Sequence, residues 1–249
     1  MTDPAEAAPA PEIILVRPQM GENIGGAARA MWNFGLRRMR VVAPRDGWPN
    51  PKAVAMASGA GSLLDEARLS DSTQAAVGDL NFVFATTARP RDMTKAVFTP
   101  EAAAREAASR IAAGEKVGFL FGPERSGLEN DDILAANAIV TVPVNPDFPS
   151  LNLAQCVLLM AYEWRRTHDQ TPDQVYQTGK HVMATSEEVT ILADRYVAEL
   201  DEAGFFFPEA KRDSMMSNLR NLFRRMPLTD QDVRTLHGVV RKLAGKPRA

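Results

Sequence analysis

The sequence holds one cysteine, Cys156, and three histidines, His168, His181 and His237, in 249 residues. A lone thiol excludes an intramolecular disulfide framework and suits a reducing cytoplasm. Cys156 lies in the apolar run AQCVLLMAY, where a buried, inert thiol is expected. The histidines all follow residue 166, and no His/Cys/Asp spacing suggests a metal site or a Ser-His-Asp arrangement. We therefore expect no metal. A G-x-G-x-x-G after the first apolar run and a GxxxxGK[ST] are both missing, which leaves dinucleotide and P-loop sites without support. No stretch approaches the roughly 18 uninterrupted apolar residues of a membrane span, so no membrane partner is expected. The opening MTDPAEAAPAPE has no basic start followed by an apolar run. Residues 1–11 read as a disordered tail, not a signal peptide.

What is present is the composition of a globular protein: 45% hydrophobic and 24% charged residues, ample for a real core. The net charge of −2 conceals an asymmetry. Residues 205–249 carry ten Lys/Arg against four Asp/Glu, a balance of +6, while the rest of the chain stands at −8. A basic end on an acidic protein suggests a polyanionic partner, although solvated helix faces would look the same.

Short apolar runs at 13–18, 39–44, 81–86, 117–122 and 138–144 read as strands buried on both faces of a parallel sheet. Helical segments are expected at 24–34, 52–58, 72–78, 100–113, 129–136 and 151–166. This alternation predicts an α/β fold with helices on both faces of a mainly parallel sheet. Residues 167–185 are polar, carry Pro and Gly, and read as a linker. Three helices should follow, at 186–203, 212–225 and 229–244, with Ser186 as an N-cap, Gly204 as a stop and Thr229/Asp232 as a capping box. The domains are then 12–166 and a basic helical extension at 186–249.

Three segments fall at carboxyl ends of predicted strands, where open α/β sheets bind ligands. In RPQMGENIGGAARAMWNFG (17–35), Asn23 could cap a helix whose buried face is Ile24, Ala27, Ala28 and Met31, closed by Gly35. Arg29 lies well off that face, and periodicity alone makes it an exposed helix arginine. In LFGPERSGLEND (120–131), two glycines within six residues allow backbone to approach a ligand, although a plain loop cap fits too. In VPVNPDFPSLNLAQ (142–155), Pro146 and Pro149 extend the loop and Ser150 is a natural N-cap. Asn152, a poor helix former, would there serve either an exposed polar role or a second cap.

Together NIGGAARAMWNFG, FGPERSGL and PSLNLAQ resemble motifs 1, 2 and 3 of the SpoU branch of the SPOUT methyltransferases, in the correct order. ATTAR (85–89) resembles a further family segment, and the tail from EAGFFFPE to VVRKL is similar to the helical extension of TrmJ-type tRNA methyltransferases. The resemblance covers about residues 12–244. It implies a C-terminal trefoil knot in the sheet domain, a homodimer with sites shared between subunits, and S-adenosylmethionine as cofactor. It places the cofactor against Thr86, Thr87, Ala88, Gly122, Val142, Pro149, Ser150 and Leu151. Pro149 replaces a small residue common in the family and removes one backbone N–H. The resemblance implies methylation of a tRNA ribose 2′-hydroxyl, at nucleotide 32 for TrmJ-type members. It assigns Arg29 to catalysis, with Asn23, Glu124, Arg125, Ser150 and Asn152 at the other motif positions. A guanidinium stays protonated and makes a poor base, so Arg29 should clamp phosphate and stabilise a developing alkoxide. Lys211, Arg212, Arg220, Arg224 and Arg225 become candidate RNA contacts, alongside Arg29. Another tRNA or ribosomal RNA site, or a non-catalytic RNA-binding relative, are the alternatives.

Overall fold

A computed structural model describes residues 9–88 and 94–245. Most of the expected tail, Arg89 of the ATTAR segment and the last four residues lie outside the described residues. The chain divides into two compact units between Gln170 and Thr171.

The first unit runs β1 (Glu12–Val16), α1 (Gly21–Asn33), β2 (Met39–Val42), α2 (Pro51–Ala57), α3 (Gly61–Asp65), β3 (Arg68–Ser70) and α4 (Thr73–Val77). It continues β4 (Phe82–Thr86), β5 (Val97–Phe98), α5 (Pro100–Ala112), β6 (Val117–Phe121), α6 (Asn130–Leu134), β7 (Ala138–Val140) and α7 (Leu153–Arg166). The strands form one seven-stranded sheet in the order β3-β2-β1-β6-β4-β7-β5, and every pairing is parallel.

Side chains of β1 alternate between two cores. Ile13 and Leu15 pack with α1, α2 and α7 residues on one face, while Ile14 and Val16 pack with Leu128 and Ile133 on the other. Burial on both faces is why these strands read as unbroken apolar runs, each large side chain contributing about 1.5–3 kcal/mol on burial. The expected buried face of α1 is the observed one: Ile24, Ala27, Ala28 and Met31 are all at most 1% exposed. Gly25 lets α2 approach, because a Cβ there would lie 2.3 Å from the Ala53 carbonyl oxygen.

Several expected boundaries move. The run 138–144 forms a strand only to Val140, since Pro143 cannot donate to a ladder. Strands β3 and β5 and helix α3 were not expected; each has five residues or fewer, too few to show periodicity. Away from the motif loops, near the amino end of the sheet, buried Arg40 donates to Glu12 at 3.1 Å, to the Ala76 carbonyl at 2.6 Å and to Asp79.

The second unit packs α8 (Ser186–Glu202), α9 (Arg212–Arg225) and α10 (Asp230–Leu243) around Leu192, Ala193, Phe223 and Val233. Its α8 N-cap is Thr185, not Ser186, because Thr185 forms a reciprocal capping box with Glu188. The Thr229/Asp232 box is present, and Gly204 ends α8 at φ 71°.

Candidate active site

Four neighbouring strands, β1, β6, β4 and β7, bring the motif segments to one end of the sheet. The first leaves β1 through Arg17, whose φ of 45° places a non-glycine residue in the left-handed region. Its guanidinium is tied to Asp132 of α6 by two hydrogen bonds and lies 3.5 Å from Glu129. Asp132 is 2% exposed and also accepts from Thr73 Oγ1 at 2.6 Å and the Glu129 N–H at 2.8 Å. Burial alone would raise this carboxyl, but the bonds from Arg17, Thr73 and Glu129 outweigh it and hold it below the usual range. The start of motif 1 is thereby anchored to the helix that follows motif 2.

Side chains then link all three motifs. Asn23 Nδ2 donates to Glu124 Oε1 at 2.6 Å, and Asn152 Nδ2 donates to Asn23 Oδ1 at 2.8 Å. The Gln19 N–H donates to the other Glu124 oxygen at 3.1 Å. Asn23 is therefore not the N-cap; the helix begins at Gly21 after Met20, and the Asn23 amide is committed to tertiary partners. Nor does Ser150 cap α7. Asn152 does, accepting from the Ala154 and Gln155 N–H groups while Gln155 bonds back to it. The cap and the cross-link use different atoms of one amide, so both roles considered for Asn152 hold at once.

Beside this chain of amides lies a cavity of about 260 Å³. Thr86, Thr87 and Ala88 line it after β4, Gly122 through Gly127 after β6, and Val142, Pro149, Ser150 and Leu151 after β7. Phe121, Val140 and Leu153 supply apolar wall. Thr86 Oγ1 donates to the Leu120 carbonyl at 2.7 Å, and Thr141 Oγ1 to the Thr87 carbonyl at 3.1 Å, which ties β4 to its neighbours beside the cavity. Gly122 is demanded by packing: a Cβ would sit 2.3 Å from the Leu128 nitrogen and 2.4 Å from the Gly127 carbonyl carbon. Cys156 also lines the cavity, and burial pushes its thiol up to about 11, so it stays protonated near neutral pH.

All eight positions expected to hold a cofactor thus border one cavity, together with Glu124 and Arg125. Arg29 does not border it; the residue is exposed on α1 with no side-chain ion pair among the described residues. Arg125 is likewise exposed. In the helical unit, Arg212 pairs with Asp201 at 2.5 Å, Arg220 pairs with Asp194 at 2.8 Å, and Arg224 donates to Thr190 Oγ1 at 2.8 Å. Lys211 and Arg225 are exposed. Sequence reasoning missed Arg17, Gln19, Thr73 and Asp132. Only the acidic start of α6 hinted at Asp132, and a helix first turn explains acidic residues without any partner.

Comparisons with known proteins give the family. Residues 11–162 match the SpoU rRNA Methylase family. The chain belongs to this family of methylases. Over nearly its whole length it is similar to proteins named TrmJ. The tRNA (cytidine/uridine/adenosine-2′-O-)-methyltransferase TrmJ of Pseudomonas aeruginosa is 34% identical, covering 92% of this chain and 91% of its own. The solved structure of TrmJ from Z. mobilis ZM4 superposes with a TM-score of 0.81 at 47% identity, over 94% of this chain and 99% of that one. A probable methylase family protein from Haemophilus influenzae Rd KW20 superposes at 0.58 with 28% identity, over 94% and 95% of the two chains. No helix among the described residues is long and apolar enough to cross a membrane.

Proposed function

We propose that this chain methylates a ribose 2′-hydroxyl of tRNA with S-adenosylmethionine, acting in the cytoplasm at nucleotide 32 of the anticodon loop. The observation that carries this reading is the convergence of three motif loops on one cavity, cross-linked by Asn23, Glu124 and Asn152. The names of relatives matched over nine-tenths of both chains favour tRNA as substrate.

The cavity suits the cofactor: its walls are largely apolar, and its rim is loop backbone from Thr86–Ala88, Gly122–Gly127 and Pro149–Leu151. Bound there, S-adenosylmethionine would supply an electrophilic methyl group. The chain's own residues would do the rest. Glu124 stays aligned by Asn23 and the Gln19 N–H, Asn152 holds the third loop in register, and Ser150 borders the cofactor site. Arg29 and Arg125 would clamp substrate phosphate, and Arg29 would stabilise negative charge developing on the ribose oxygen.

Because Arg29 does not border the cavity of its own chain, we assign it to the site of a second subunit in a homodimer. Exposed Leu158, Leu159 and Tyr162 on α7 favour such a pairing. The segment from β7 to α7 is the one we assign to a trefoil knot. In the helical unit, Lys211, Arg224 and Arg225 carry no carboxylate partner among the described residues and are proposed RNA contacts, with Arg212 and Arg220 beside them. Residues 12–166 would form the catalytic domain, 167–185 a linker, and 186–249 the RNA-binding extension.

Incubating the protein with tRNA and methyl-labelled S-adenosylmethionine tests the proposal. Label should enter tRNA, and mapping should find a 2′-O-methyl at nucleotide 32. Label at another nucleotide would retire position 32, and no label in any tRNA would retire the activity.

A further inference from the structure

The connection between β7 and α7, residues 141–152, leaves the cavity wall and returns to it. Val142 and Val144 line the cavity on one leg, and Pro149, Ser150 and Leu151 line it on the other. Residues 145–148 therefore form a tip at the cavity's rim, and all four are exposed. The tip is held in shape. Asn145 accepts the Phe148 N–H on its carbonyl at 3.0 Å and the Asp147 N–H on its Oδ1 at 3.1 Å, while Pro146 and Pro149 fix their own φ angles. Phe148 is 74% exposed, more than any other large apolar residue described in the first unit. The other two exposed rings of that unit have partners: the Arg37 guanidinium lies 4.6 Å from the Trp32 centroid, and Tyr162 meets Phe34 edge-on at 5.7 Å. Phe148 makes no ring or cation contact among the described residues.

A single exposed apolar side chain needs no partner in itself. This one stands where the proposed reaction requires a flat apolar surface. The methylated oxygen is on C2′ of the ribose and the base is on the adjoining C1′, so delivering the hydroxyl to the cavity brings the base to its rim. Bases of single-stranded RNA loops, once drawn out of their own stack, are held on aromatic side chains. Residues 141–152 contain no Lys or Arg and carry the acid Asp147, which repels phosphate and tolerates the uncharged face of a base. Resting on the reading of this chain as a tRNA 2′-O-methyltransferase, we propose that Phe148 is the stacking platform for the base of the methylated nucleotide. Every base has a π-face, so the platform fixes where the base lies without choosing which base it is.

The test measures methyl transfer by the wild-type protein, Phe148→Leu and Phe148→Tyr on two tRNAs, one intact and one with an abasic ribose at the target nucleotide. Leucine keeps the apolar bulk and removes the ring. On intact tRNA, Phe148→Leu should lower kcat/KM about tenfold or more, and Phe148→Tyr should stay near wild type. On abasic tRNA the wild-type protein should already have lost that factor, and Phe148→Leu should lose little more. Cofactor affinity by calorimetry and the sedimentation coefficient should match wild type in both variants. An equal loss on both tRNAs, or no loss on either, in a protein that methylates tRNA overturns the platform and leaves the activity standing. A fall in cofactor affinity would place the ring on the cofactor instead, and a smaller sedimenting species would place it against a second copy of the chain; either overturns the platform. A wild-type protein that methylates no tRNA overturns both readings.

Discussion

Asn23, in the first turn of α1, and Glu124, in the loop after β6, are joined by a 2.6 Å hydrogen bond across 101 residues of sequence. Asn152 completes the link on the other side of Asn23 at 2.8 Å. One small amide therefore sets the spacing of three loops that come from three different strands. Each of its bonds is made with a group that has a second anchor: Glu124 on the Gln19 N–H, Asn152 on the α7 cap.

Replacing Asn23 with Ala should free Glu124 and Asn152 together. We expect methyl transfer to fall at least tenfold and stability to drop by about 1–2 kcal/mol, the cost of losing two hydrogen bonds, one of them to a partly buried carboxylate. In a double-mutant cycle with Asn152→Ala, measured by denaturant unfolding, the two losses should be less than additive. Strict additivity would mean the amides act separately.

Arg29→Ala should reduce turnover about 100-fold or more, the usual cost of removing one charge-stabilising donor. Cofactor affinity, measured by calorimetry, should hardly change, because Arg29 does not border the cavity. A matching loss of cofactor affinity would instead make Arg29 part of the binding pocket.

Gly122→Ala should impair cofactor binding without unfolding the sheet. The added methyl would press on backbone atoms of Gly127 and Leu128, which form the cavity rim and cannot rotate away as a side chain could. An affinity loss of about tenfold or more corresponds to about 1.4 kcal/mol. A variant that binds the cofactor normally would show the loop to be more pliant than its packing implies.

The Asp132 carboxyl makes stability depend on pH in a stated direction. Its folded value lies below the unfolded one, so its contribution is complete above the unfolded value of about 3.9 and is lost as pH falls through the folded value. Asp132→Asn should cost about 1–3 kcal/mol at pH 7, where the part-buried ion pair with Arg17 is broken, and progressively less in acid. Denaturant titrations at pH 7 and near pH 3 read this difference; a cost that stays constant between them would exclude the ion pair as its source.

The Pro/Gly punctuation and doubly buried apolar runs made most of the sheet legible from sequence, because they need only local pattern. Helix α1 was equally plain in its buried stripe, and Gly204 and Thr229 marked helix ends correctly. Caps were less legible. Ser150 and Ser186 are as good at the N-cap as Asn152 and Thr185, and the choice depended on which residue had a Gln or Glu three places on to bond back. The identities of the motif residues were visible by their resemblance to a family, but their mutual contacts were not.

By itself, then, the sequence determined the class of fold, the basic helical tail and the residues that face one end of the sheet. Each of those follows from periodicity, net charge or motif order. Only the tertiary structure decided that Asn23 is a cross-link and not a cap, that Asp132 holds Arg17, and that Arg212 and Arg220 carry carboxylate partners. The reason is physical: a polar side chain's role depends on which donors and charges lie within about 3–4 Å of it. Strand order and helix packing set those neighbours, from 115 residues away for Arg17 and from 26 for Arg220.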